Sequence, residues 1–387
     1  MKPFLSVLLM IIVLPAVLVS EASACLNDRD TLAEEIKGLP DVTRVITGRF
    51  ERNPPLYYEM RLQRVSDELR IHDDILGDYD DAAVACDRLG RDDEGIAFMT
   101  RKHHMLAQMR TDTPGIQEDW YKYYANIGTC RVHRWIRNGA NRNDLKEVAQ
   151  AKKEIDQALK IKPDAHFGRE KYQEMVMQCI ISPPVNLGNT QNGLAQNLTS
   201  LGDNPQTIRK GLCGLFVLGN AWESPDVFRA MVDLLGYRND HLTNWCMLRV
   251  RELEANGRQN MLPLSDAGMR QEKERLAGID SYDTAEYKHF RDEADAWQAK
   301  RTAFMMARLI AGRHPDTDPH FWDGYSDAGP PDLSIPFFRS VELWGRPYFG
   351  AHWFPRLPIA VILFSLPIIW LFRREIRNIR ERRRIHG

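Results

Sequence analysis

The segment richest in groups that could do chemistry is His314-Pro315-Asp316-Thr317-Asp318-Pro319-His320. His314, Asp316, Asp318 and His320 offer the imidazole and carboxylate ligands that a divalent metal takes, and two prolines stiffen the loop that carries them. No further acidic residue stands where it would complete a calcium loop. These four are candidate metal ligands without a full set. Cys130 and His133 stand one helical turn apart and share a face. That spacing suits half a metal site or a thiolate–imidazole pair. Ile127, Val132, Trp135 and Ile136 around them point instead to a packed helix. His103-His104 follows Arg101-Lys102 and reads as solvated surface. His72-Asp73-Asp74, Asp78 and Asp80-Asp81 form an acidic stretch at a helix junction, where the helix dipole already favours acids. No serine nucleophile elbow, phosphate-binding glycine loop, dinucleotide fingerprint or HExxH motif occurs. No cofactor is indicated, and the balance favours a binding protein over an enzyme.

The six cysteines, Cys25, Cys86, Cys130, Cys179, Cys213 and Cys246, lie far apart with no CxxC spacing. Haem attachment and zinc ribbons are therefore unsupported. An exported chain could oxidise some of them, but Cys86, Cys130, Cys179 and Cys246 sit among apolar residues at helical spacing. They read as buried thiols.

What must position these groups is a set of helices. Helical periodicity is expected over 57–76, 79–89, 92–109, 116–138, 144–161, 165–181, 206–218, 224–235, 240–257 and 283–312. No window alternates with period two, so the fold class is all-α. Residues 182–205, rich in Pro, Asn and Gly, read as a loop dividing 25–181 from 206–312. Residues 313–356 read as a linker with an aromatic, membrane-proximal end.

Both chain ends read as targeting segments. Lys2, the apolar run from Phe4 to Val19 and Ala22-Ser23-Ala24 make a signal peptide over 1–24. Residues 357–372, LPIAVILFSLPIIWLF, read as a transmembrane helix. Its sixteen residues would span about 24 Å, and Trp353, Phe354 and Arg356 supply the missing length of a ~30 Å hydrocarbon core. The tail 373–387 carries seven Arg against two Glu, which places it in the cytoplasm and the main domain outside. The formal net charge of −1 gives no basis for a nucleic-acid partner. Cleavage after Ala24 would leave Cys25 first, which resembles a bacterial lipoprotein signal. Ala22 stands where such signals usually carry Leu, and a lipid would duplicate the C-terminal anchor, so ordinary cleavage is the preferred reading.

Internal repetition is the other organising feature. Leu76-Gly77-Asp78-Tyr79-Asp80-Asp81-Ala82-Ala83 is followed by Leu89-Gly90-Arg91-Asp92-Asp93-Glu94-Gly95-Ile96. Each reads as a helix end, a glycine suited to a left-handed cap, and an acidic first turn. Here the chain resembles the tetratricopeptide repeat family, with Gly77, Tyr79 and Ala82 at the turn and crossing positions. Tyr124-Ala125-Asn126-Ile127-Gly128 resembles a first helix with its glycine at the close crossing. Ala151, Ile155, Ala158, Leu159, Ile161 and Pro163 resemble the second helix and its stop, with a longer connection at 137–146 than the family has. The resemblance covers about a third of the chain. It implies antiparallel helix pairs whose groove binds protein segments, with Tyr124, Asn126 and Arg131 facing that groove. The leading expectation is a membrane-anchored, extracytoplasmic scaffold for an unnamed protein partner. The alternative is a cell-envelope metal-binding protein or enzyme using the acidic and His-bearing segments.

Overall fold

Helix starts and stops are set locally by a few residue types. The computed structural model describes residues 26–30, 42–163, 168–184, 192–219, 221–236 and 240–326. All of these fall in one compact unit that ends at Pro331. The helices are α1 (Val42–Ile46), α2 (Pro55–Ile71), α3 (Leu76–Arg88), α4 (Asp92–Gln108), α5 (Ile116–Arg137), α6 (Lys146–Ile161) and α7 (Arg169–Ile181). They continue as α8 (Leu194–Thr199), α9 (Pro205–Leu218), a short 3-10 turn (Ala221–Glu223), α10 (Pro225–Leu235), α11 (Asp240–Ala255), α12 (Asp266–Gly278) and α13 (Ser281–Ile310). Among the described residues there is no strand, so the fold class is all-α.

Proline opens α2, α9 and α10, where its missing N–H costs nothing. Asn204, Ser224, Ser265 and Asp280 cap α9, α10, α12 and α13 by accepting a first-turn backbone N–H. Helix α3 ends at Gly90, whose φ of 71° is left-handed. The Gly90 N–H then reaches the Asp87 carbonyl at 3.0 Å and the Arg91 N–H reaches that of Cys86 at 2.8 Å. Those two bonds satisfy the last carbonyls of the helix.

Helices α2 to α7 pack each on the next, and α3 also touches α5. Leu69, Tyr79, Met99, Leu106, Ile116 and Ile127 fill one core between α2 and α5. Burying each such side chain is worth about 1.5–3 kcal/mol. At Gly128 an added Cβ would lie 2.9 Å from the Ala151 carbonyl oxygen and 3.0 Å from Ile155. The glycine therefore lets α5 and α6 approach closely. Gly95 does the same for α4 against α3, 3.2 Å from the Ala83 carbonyl. Downstream, α9 packs on α7 and α1, α10 on α11, and α11 on α13. Helix α13 returns to α2, so the last long helix meets the first.

Several expectations shift. Gly77 lies in the first turn of α3, which already begins at Leu76, and does not adopt a left-handed cap as Gly90 does. Residues 182–205 contain α8, held by buried Leu194 and Leu198. Helix α12 was not expected, because it buries little beyond Gly268 and Glu272 and has no apolar stripe. Residues 313–326, read as the start of a linker, fold back on α13. Phe321 is buried there and Trp322 stacks on Phe304 at 5.8 Å. Among the described residues no helix is long and apolar enough to cross a membrane. The signal peptide 1–24, Cys25, the transmembrane segment 357–372 and the tail 373–387 lie outside the described residues.

Candidate binding site

A short segment, residues 26–30, with its last two residues helical, is laid across the helices, and its buried backbone must find partners. Asn126 on α5 supplies them. A carboxamide has one acceptor and one donor side, which matches the N–H and C=O of one residue. Asn126 Oδ1 accepts from the Asn27 N–H at 2.7 Å, and its Nδ2 donates to the Asn27 carbonyl at 3.0 Å. The same Nδ2 is also 3.0 Å from Asp80 Oδ1 on α3, while Lys102 Nζ on α4 holds the other Asp80 oxygen at 2.6 Å. Burial raises the Asp80 carboxyl to about 6, against the opposing pull of Lys102. Arg169 on α7 reaches the Leu26 carbonyl and Asn27 Oδ1, and Tyr121 donates to Glu170 beside it at 2.7 Å.

The segment then crosses α3 and α2. Arg29 donates through Nε to Asp81 at 2.5 Å. Arg61, on α2 and fully buried, collects the next groups. Its guanidinium donates to Asp28 at 3.1 Å, to Asp30 at 2.9 Å, and to both oxygens of Asp316 at 2.8 and 2.6 Å. It also donates to the Tyr57 hydroxyl and lies over that ring, 4.6 Å from its centroid. Burial alone would raise the Asp316 carboxyl. Arg61 outweighs burial and holds it down at about 2.

This cluster accounts for half of the expected metal loop. Asp316 belongs to Arg61 and Arg64. His314 is buried, stacks on Tyr57, and places Nε2 3.0 Å from the Tyr57 carbonyl. Its Nδ1 accepts from the Asp316 N–H, so the ring is the neutral tautomer, in keeping with a pKa lowered by burial. Asp318 pairs with Arg313, and exposed His320 with Asp323. The structure does not bring His314, Asp316, Asp318 and His320 together as ligands.

Cys130 and His133 are both buried, but the partner of His133 is Asp87, with Nδ1 2.5 Å from Oδ1. The Cys130 thiol is raised well above its ordinary value by burial, which leaves it unreactive as a nucleophile. The five described cysteines form no disulfide with one another and are buried, as expected for Cys86, Cys130, Cys179 and Cys246. Of the expected groove residues, Tyr124 and Arg131 are half-exposed. Tyr124 stacks on Trp120 and Arg131 pairs with Glu154 at 3.0 Å. Asn126 is fully buried beneath the N-terminal segment.

Two features escaped sequence reasoning. Arg61 follows Tyr57 by one turn and precedes Val65 by another, a cation on the apolar stripe of α2, which was the available signal. The other is His241 on α11, clamped between two acids of α13. Its Nδ1 is 2.9 Å from Asp283 and its Nε2 3.0 Å from Glu286. Burial lowers its pKa, but the two carboxylates outweigh burial and the net shift is upward. Beside Asp28, Arg29 and Asp30 opens a cavity of about 740 Å³, walled by α2, α9, α13 and the segments at 50–53 and 315–325. No protein-family model, no curated protein and no solved structure matches this chain.

Proposed function

We propose that this chain is a membrane-anchored, extracytoplasmic scaffold of tetratricopeptide-like helix pairs that holds extended polypeptide against α3, α5 and α7. One observation carries the reading. Asn126 grips one residue's backbone through both its N–H and its C=O, and the flanking Arg169, Asp80 and Asp81 complete a track for main chain and charged side chains. Recognition of this kind depends on backbone geometry first and side chains second. Half-exposed Tyr124 and Arg131, seven positions apart, share the face of α5 roughly opposite buried Asn126 and offer a second, exposed contact surface. The anchor and the orientation rest on the apolar run 357–372 and the arginine-rich tail.

Photo-crosslinking in native membranes tests this. A photoreactive residue at position 124 or 131 should give discrete, saturable protein adducts, and one at exposed Met269 should not. Indistinguishable patterns from all three positions would remove the α5 surface as a binding face.

A second reading, a metal-binding envelope protein, is favoured by one group. Among the described residues, His241, Asp283 and Glu286 bring three metal-capable side chains within 4.8 Å. Each ring nitrogen of His241 faces a different carboxylate, so an ion could take only one of them. Elemental analysis of the purified chain, with and without His241→Gln, separates the readings: a stoichiometric metal lost in the variant supports the second.

A further inference from the structure

The cavity beside residues 28–30 has a charge pattern that selects a ligand. Its wall carries the acids Asp28, Asp30, Glu51, Glu223 and Asp316. Each already has a guanidinium. Asp28, Asp30 and Asp316 are held by Arg61, Glu51 by Arg301 at 2.9 Å, and Glu223 by Arg258 at 2.9 Å. Arg52, in the same wall, is much less neutralised. Its Nη1 donates to the Gly48 carbonyl at 3.2 Å, and the nearest acid, Asp295, is 4.0 Å away. Asp295 is itself bound by Arg291 through both oxygens, at 3.0 and 3.1 Å. Burial lowers the Arg52 pKa to about 10, with Arg291 and Arg249 adding to the effect, so positive potential accumulates at this point.

Around Arg52 the wall is aromatic. Its guanidinium carbon lies 4.9 Å from the Phe50 centroid and 5.9 Å from that of Trp222. Trp297 and Trp322 line the same cavity. At about 740 Å³ the space is in the range of small-molecule sites. We propose that this cavity binds a small monoanion, a carboxylate on an aromatic body, with its head group against Arg52. Arg52 stands among these rings with its nearest acid 4.0 Å away and already held by Arg291, which suits a single negative charge. A phosphate dianion would meet more repulsion than attraction. The ligand is independent of any polypeptide held by Asn126.

The test uses the full chain in detergent micelles and isothermal titration with biphenyl-4-carboxylate and its neutral amide. The carboxylate should saturate at one equivalent and bind about ten- to a hundredfold tighter than the amide, the range for a hydrogen bond to a charged group. Arg52→Gln should bring the carboxylate down to the level of the amide, and Arg52→Lys should preserve the preference. Trp322→Ala, at the half-exposed side of the cavity, should weaken both probes alike. Circular dichroism and melting temperature establish that each variant is folded. Equal binding of the two probes, a preference that survives Arg52→Gln, or no saturable binding by the folded chain would each overturn the proposal.

Discussion

Replacing Arg61 by Met should be the most damaging single change to this fold outside its apolar core. The side chain is fully buried and bonds three carboxylates drawn from two separate segments. Methionine keeps much of the volume, so the loss is electrostatic. Removing one partner of a buried ion pair costs about 3–5 kcal/mol, because the other charge stays behind without compensation. Two features moderate this. Asp30 is 32% exposed and can rehydrate, and Arg64 still holds Asp316 at 2.7 Å. The stacking of Arg61 over Tyr57 is lost as well, which adds to the cost. The estimate therefore stays at about 3–5 kcal/mol, or roughly 6–10 °C in Tm at the ~2 °C per kcal/mol of a large domain. Arg70→Met serves as the control, since the exposed Arg70–Asp67 pair should move Tm by no more than about 1 °C. Acid should narrow the difference. The Asp316 carboxyl is depressed to about 2 in the folded chain. The stabilisation it receives from Arg61 is present above the ordinary carboxylate value and is lost as pH falls toward 2. Melting curves by circular dichroism at pH 7 and pH 3 read both effects. A Tm within about 2 °C of wild type at pH 7 would refute the clasp.

Two glycines should respond with opposite signs. Gly128→Ala drives a Cβ to within 2.9 Å of the Ala151 carbonyl oxygen and should cost about 1–3 kcal/mol by overpacking. Gly77→Ala meets nothing within 4 Å and should gain about 0.5–1 kcal/mol from helix propensity; denaturant midpoints decide both. His241 titrates upward of its ordinary value in the folded chain, so its clamp stabilises fully below about pH 6.5 and fades as pH rises through the folded value. The stability gap between wild type and His241→Gln should narrow by at most about 1.4 kcal/mol per pH unit over that window, and a constant gap from pH 6 to 9 would refute the clamp. Burial pushes the Cys86 thiol up to about 12 and Cys179 to about 11, with Cys130 and Cys246 also raised. A thiol-specific chromogenic disulfide should leave these four unlabelled in the folded chain and label them in denaturant.

Helix positions were legible because their signals are local. Periodicity, proline at first helical positions and the glycine after α3 act within a turn or two, so α2 to α7 appear close to where the sequence puts them. The close crossing at Gly128 was legible for the same reason, since a glycine amid larger residues marks where a neighbour must approach. Helix α12 was not, because nearly all of its surface is polar and solvated. The binding site was least legible. Asn126 was named for its place on a helix face, but its partner stands 99 positions away. Arg61 meets Asp28 across 33 positions and Asp316 across 255. Pairing over such distances is set by how the whole array closes, and no window of sequence contains it. The expected loop at 314–320 failed as a ligand set for that reason: His314 and Asp316 are drawn inward to Tyr57 and Arg61.

The resting place of residues 26–30 also fixes an order of events during synthesis. These residues precede the groups that receive them, which are completed only with α3, α5, α7 and finally Asp316. A growing chain can stack α2 on α3 and α4 on α5 as each emerges, because those contacts are between neighbours. The N-terminal segment docks in stages instead. It can meet Arg61 across 33 positions, Asp81 across 52 and Asn126 across 99, and only its tie from Arg29 to Asp316 waits for some 290 further residues. Anything that holds residues 26–30 away from these partners delays those ties and leaves the helices between already formed.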